Sequence, residues 1–179
     1  MPGSPPNMPS GPPAPIPDPA TPPARDTRLV DIQMVEKTYV RRGPEAEHER
    51  KVAIFDLLEA NHFAPSVEHP GPFKLRLSAE ETRLIFDIRD QADGELARVP
   101  LALQPFRGIV KDYFKVCESY YQAIKQATPA RIEAIDMGRR GLHNEGSALL
   151  QSELTGRIGL DHDTARRLFT LLCVLHIRG

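Results

Sequence analysis

The alternation of apolar and polar positions divides the chain into strand-like and helix-like stretches. Between Arg28 and Val35, Val30, Ile32 and Met34 fall on one side of an extended chain. Asp31 and Gln33, flanked by Leu29 and Val35, fall on the other. That predicts a first strand with one apolar face. From Glu45 to Asn61 the period becomes helical: Val52, Phe55 and Leu58, widened by Ile54 and Leu57, form an apolar stripe, with His48, Glu49, Arg50 and Lys51 on the solvent side. Asn61 and Pro65 favour termination. Period two returns at Pro72. Phe73, Leu75 and Leu77 alternate with Lys74, Arg76 and Ser78; after a connection from Ala79 to Thr82, Leu84, Phe86 and Ile88 alternate with Ile85, Asp87 and Arg89, which predicts a hairpin. Ala92 to Glu95 is a second turn, and Leu96 to Leu103 a third strand, whose Pro100 implies a sheet edge or a bulge.

Beyond Pro105 the pattern is helical to the end. Phe106, Ile109, Val110, Tyr113, Cys117, Tyr120, Tyr121 and Ile124 recur mostly at three- and four-residue steps, and this helix is expected to cover the sheet. Thr128 and Pro129 read as cap and first residue of the next helix, with Ile132 and Ile135 facing inward. A short helix from Ser147 to Leu154 ends at Gly156. Asp161 or Asp163 caps a last one, apolar almost all round from Leu168 to Leu175 and therefore buried. The expected fold is α+β: a small antiparallel sheet of about four strands covered by helices, with a helical C-terminal half, in a single domain over 26–179.

Composition adds a boundary. Most of the 18 prolines precede Ala24. In 1–24 there is little apolar surface to offset the entropy of ordering, so a disordered tail is expected, with Pro2/Pro5 and Pro6/Pro9 at the spacing of groove-binding ligands. The tail lacks the features of a secretory or organellar signal, and the apolar run from Leu168 to Ile177 is about half of what a bilayer needs. Cys117 and Cys173 sit among apolar neighbours, as reduced core thiols do. These features suggest a soluble, cytoplasmic protein. A net charge of −1 with interleaved signs does not favour nucleic acid as a partner.

The densest chemistry lies in Ala134 to Ser147, AIDMGRRGLHNEGS, read as a glycine-rich connection between helices. In one reading, Arg139 and Arg140 join backbone N–H groups of a helix capped by Asn144 or Ser147 to bind an anion, with His143 and Glu145 available as acid and base. In the other, Gly138 and Gly141 end one helix, the arginines complement its dipole and Asn144 caps its successor. Arg139, Arg140, His143, Asn144 and Glu145 are thus the candidate ligand-binding residues. A second arginine pair, Arg166-Arg167, either forms a solvated face or joins the first in a basic patch.

No familiar catalytic grammar is complete. His143-Asn144-Glu145 has the H-x-E order of zinc deaminases without the P-C-x-x-C partner, and His48-Glu49 begins an H-E-x-x-H element that Val52 breaks. Walker, G-x-G-x-x-G and G-x-S-x-G sequences do not occur. His162 between Asp161 and Asp163 is explained by capping, and His176 and Arg178 suit a helix C-terminus. No metal or cofactor is expected.

The runs HERKVAIFDLLEAN, RGIVKDYFKVCESYYQAIKQATPARIEAIDMGRRGLHNEGS and DTARRLFTLLCVLHIRG resemble a small family of alphaproteobacterial proteins known only as an uncharacterised family. The likeness spans Leu29 to Gly179 and leaves out the proline-rich tail. It implies a small soluble cytoplasmic protein, and it supplies no functional residues. Two classes of function therefore stand: a non-catalytic binding or regulatory module for a protein or an anionic ligand, and a small enzyme acting on a phosphorylated or carboxylated metabolite through Arg139 to Glu145.

Overall fold

The structure is a computed structural model that describes Gly3, Gly11, 24–35 and 43–175. The proline-rich tail, apart from Gly3, Gly11 and Ala24, lies outside the described residues, as do His176 and Arg178. Four strands, β1 (Leu29–Val35), β3 (Phe73–Glu80), β4 (Arg83–Arg89) and β5 (Glu95–Ala102), form one sheet in the order β1-β3-β4-β5, and β2 (Phe63–Pro65) pairs with β6 (Ile158–Leu160) in a separate ribbon. The helices are α1 (Pro44–Glu59), α2 (Arg107–Gln126), α3 (Pro129–Leu154) and α4 (His162–Leu175). This is the expected α+β class with a helical C-terminal half. The sheet is antiparallel from β3 to β5, but β1 joins β3 in parallel, so it is mixed rather than wholly antiparallel.

The hairpin follows its pattern. Phe73, Leu75 and Leu77 are buried on β3 against Leu84, Phe86 and Ile88 of β4. The turn closes on Glu81 and Thr82 alone, with Glu81 at φ 47°. In the next turn Asp90 Oδ1 accepts from the N–H groups of Ala92 (2.9 Å) and Gly94 (2.8 Å). Pro100 lies on β5, an edge strand, where a missing N–H costs least. In β1 a register shift between Leu29 and Asp31 breaks strict alternation, so Leu29 and Ile32 are the buried pair rather than Val30, Ile32 and Met34. Asn61 anchors the start of that strand: its Oδ1 accepts from Leu29 N–H (2.7 Å), and its Nδ2 donates to the carbonyls of Leu29 (2.9 Å) and Leu57 (2.7 Å).

Among the helices, α1 packs on α4 and β1, α2 runs along α3, and α3 along α4. One apolar core extends from the inner face of the sheet through Phe106, Val110, Tyr113 and Cys117 to Leu168, Phe169, Leu171 and Leu172. α1 is rotated from expectation: of the expected stripe Leu57 is buried and Ile54 packs half-buried against the core. Ala53 and Leu57 are buried, while Val52, Phe55 and Leu58 face outward. The sequence stripe is apolar, but the smaller Ala53 lets α1 approach α4 closely, and Glu49 is drawn inward by the Tyr121 hydroxyl, which donates to it at 2.9 Å.

α3 carries the largest departure. Its start is as read, with the Thr128 hydroxyl accepting from Arg131 N–H (3.4 Å) and Pro129 in the first turn. It then continues without interruption through Gly138, Gly141 and Gly146 to Leu154, so Ala134 to Ser147 is helix interior and not a connection. Asn144 and Ser147 cap nothing; the Ser147 hydroxyl donates back to the His143 carbonyl at 2.6 Å. Tertiary packing overrides glycine propensity here: His143, Gly146, Ser147, Leu150 and Leu154 recur at helical spacing as a buried stripe. Gly146 permits the approach of α4, since a Cβ there would lie 2.2 Å from Phe169 Cζ. Beyond it, Gly156 at φ 84° ends the turn, and Asp161 Oδ1 caps α4 by accepting from Thr164 N–H at 2.8 Å.

Candidate functional site

Helical geometry places residues i, i+1 and i+4 on one face, and two helices use that spacing alike. α3 presents Arg139, Arg140 and His143; α4 presents Arg166, Arg167 and Thr170. The two triplets face each other across a cavity of about 260 Å³, closed on a third side by His48, Glu49, Val52, Ala53 and Asp56 of α1 and floored by Tyr113 of α2. The α3 and α4 triplets meet where His143 Nε2 lies 2.9 Å from Thr170 Oγ1.

Each arginine is held differently. Arg139 and Arg140 both reach Asp136, at 2.6 Å and 2.7 Å, and Arg139 also lies over the Tyr120 ring, 5.0 Å from its centroid. The hydrogen bond from Arg139 holds the Asp136 carboxyl below its ordinary pKa. Arg167 pairs with Asp56 across the cleft at 3.5 Å. Arg166 has no carboxylate partner among the described residues; its Nη1 donates to Asn144 Oδ1 at 2.5 Å. Four guanidiniums therefore border a space whose carboxylates, Asp136, Asp56 and Glu49, only partly neutralise them. An uncompensated guanidinium beside a cavity can accept a carboxylate or phosphate bidentately.

His143 is buried, and its ring packs edge-on against Phe169 with centroids 5.4 Å apart and tilted against Tyr113 at 5.5 Å. Burial, followed by the fields of Arg166, Arg139 and Arg167, lowers its pKa to about 4. It is thus neutral at pH 7. The Thr170 hydroxyl donates to the Arg166 carbonyl at 3.3 Å, so its lone pair accepts from His143 Nε2–H and Nδ1 is the bare nitrogen. That buried Nδ1 has no hydrogen-bond partner among the described residues. The cysteines offer no nucleophile, because burial pushes Cys117 up to about 11 and Cys173 well above its ordinary value.

Of the five residues singled out from sequence, Arg139, Arg140 and His143 line the cavity. Asn144 sits at its margin and positions Arg166. Glu145 is exposed and about 200° around α3 from His143, so these two do not form an acid–base pair. The proposed convergence of helix N-terminal N–H groups falls away with the connection, since those groups lie inside α3. The two arginine pairs do share one patch. Sequence reasoning did not bring in His48, Glu49, Asp56 or Thr170. One usable signal was the repeated pattern R-R-x-x-H and R-R-x-x-T, which sets a hydrogen-bonding side chain one turn beyond each arginine pair. The α1 residues carry no such mark, because the apolar stripe of their helix places His48 and Glu49 on the solvent side.

Among the described residues no helix is long and apolar enough to cross a membrane. No solved structure matches the chain. Its relatives in sequence are extensive. A UPF0262 protein of Rhodospirillum rubrum is 65% identical over 156 residues, covering 87% of this chain and 96% of the relative. A UPF0262 protein of Paramagnetospirillum magneticum is 61% identical over 152 residues, covering 85% and 97%. One from Rhizobium etli is 57% identical, covering 87% and 99%. The family model described as "Uncharacterised protein family (UPF0262)" matches residues 26–178, and the chain belongs to that family.

Proposed function

We propose that this protein is a binding module whose ligand is a small anionic molecule seated among Arg139, Arg140, Arg166 and Arg167. The observation that carries this reading is Arg166: a guanidinium on the cavity wall with no carboxylate partner among the described residues, fixed in place by Asn144. The other three guanidiniums share Asp136 and Asp56, so Arg166 leaves a positive excess at the cavity that an incoming anion relieves. The opposite wall adds acceptors. Glu49 and Asp56 can take hydrogen bonds from hydroxyl or amino groups, so a phosphorylated or carboxylated metabolite that also bears such donors fits better than a bare polyanion. A binding role is favoured over a small enzyme by the separation of His143 from Glu145, which removes the acid–base pair expected from the sequence, and by the high thiol pKa values, which leave Cys117 and Cys173 unactivated.

Isothermal titration with inorganic phosphate, a panel of sugar phosphates and nucleoside monophosphates tests the reading. Arg166→Ala is expected to weaken the best ligand by about tenfold to a hundredfold, the loss of one charge-assisted hydrogen-bonding group. Because Arg166 makes no ion pair among the described residues, its loss should leave the melting temperature nearly unchanged. An affinity unaltered by Arg166→Ala, or the absence of heat with every anion, would sink the proposal.

A further inference from the structure

α1 turns outward the stripe that its own sequence marks as apolar. Phe55 is 62% exposed, Val52 43% and Leu58 40%, and Lys51 and Glu59 beside them are also exposed. These residues stand four and three positions before Phe55 and three and four positions after it. All lie within about 60° of Phe55 around the helix. We propose that this face is the contact of a symmetric homodimer, in which α1 packs antiparallel against the same helix of a second copy with the twofold axis at Phe55.

The pattern is its own complement under that operation. Antiparallel packing about Phe55 sets Phe55 beside the partner's Phe55, Val52 level with the partner's Leu58, and Lys51 level with the partner's Glu59. Because the axis repeats each contact, the apolar pairs occupy the centre and two opposite-charge pairs flank them, which is the arrangement of a protein interface with a dry core and a polar rim. A twofold contact requires a surface patch to be self-complementary. Here both hydrophobicity and charge are mirrored about one residue, a property that docking to an unrelated protein would not demand. Parallel packing is disfavoured by the same charges, since it would set Lys51 level with the partner's Lys51 and Glu59 level with the partner's Glu59.

The charges provide a test that separates this contact from general stickiness. The full-length chain is expected to sediment as a dimer at micromolar concentration, and Phe55→Glu to sediment as a monomer with an unchanged circular-dichroism spectrum. Lys51→Glu leaves two acidic residues on the face and Glu59→Lys leaves two basic ones, so each single variant should self-associate at least about tenfold more weakly. Mixed in equal amounts, these two variants become complementary and should form a heterodimer tighter than either homodimer. The double variant K51E/E59K should recover the original affinity. A monomeric parent chain at about 100 μM, well above the weak-complex range, overturns the proposal. So does a dimer indifferent to both charge reversals, or a mixture that associates no better than its components.

Discussion

Three glycines within one helix should respond to alanine in opposite directions. At Gly138 and Gly141 a Cβ would meet nothing within 4 Å, and neither residue has a positive φ. Each lies in the exposed interior of α3. Alanine there restricts the unfolded chain and favours the helix, so each substitution should stabilise by about 0.5–1 kcal/mol. At Gly146 the same methyl would fall 2.2, 2.4 and 2.7 Å from three atoms of the Phe169 ring, against a carbon–carbon optimum of about 3.5–4.0 Å. Phe169 is fully buried and wedged against His143 and Tyr113, so it cannot swing aside, and α3 and α4 would have to separate. Overpacking of that kind costs about 3 kcal/mol, against which helix propensity returns less than about 1, leaving Gly146→Ala about 2 kcal/mol less stable. Urea unfolding at pH 7 measures all three, and the melting temperature should move about 2–4 °C per kcal/mol in a chain of this size. The comparison discriminates between architectures. Were Gly138 or Gly141 a left-handed residue ending a helix, alanine would destabilise by about 1 kcal/mol. A loss at either position would refute the continuous helix.

Two further perturbations probe the interior. His143 has a folded-state pKa near 4 against about 6.5 unfolded, so its contribution is intact above pH 6.5 and is lost as the unfolded chain takes up a proton that the folded one refuses. The parent chain should lose roughly 2 kcal/mol more than His143→Leu between pH 7 and pH 5 in parallel urea titrations, and equal slopes would show that His143 is not the buried neutral group described. Asn61→Ala removes three hydrogen bonds that tie β1 to the end of α1 and should cost about 2–3 kcal/mol by the same method, whereas a loss under about 0.5 would show that water replaces them.

How legible each element was depended on whether its partner lay nearby in sequence. The β3–β4 hairpin, the edge position of Pro100, the Thr128 cap and the buried end of α4 all follow from local pattern and capping chemistry. β2 and β6 escaped notice because each has three residues and its stability comes from a partner almost a hundred positions away. The parallel entry of β1 is likewise set by a crossover through α1, not by anything in its own residues. α3 shows the stronger form of this effect. Three glycines and an asparagine within ten residues signal a break, yet burial of His143, Ser147 and Leu150 between α2 and α4 outweighs a propensity cost of about 1 kcal/mol per glycine.

The continuity of α3 changes what its polar residues mean. In a connection, Arg139, Arg140 and Asn144 would be helix-end chemistry and would need no ligand to explain them. In a helix interior that explanation is gone: Asp136 accounts for Arg139 and Arg140, but among the described residues no carboxylate balances Arg166, which Asn144 holds, and Nδ1 of His143 has no partner. A fold can tolerate one unsatisfied group at a cost of about 1–3 kcal/mol. It is the coincidence of that group with four guanidiniums around one cavity that points to binding rather than packing. The rotation of α1 acts in the same direction, because turning Phe55 and Leu58 outward leaves Glu49, Val52 and Asp56 on the side that faces those arginines. Had α1 buried its most apolar stripe, the cavity would have had no acceptors opposite its cations, and the outer face would have had no apolar surface to join a second copy.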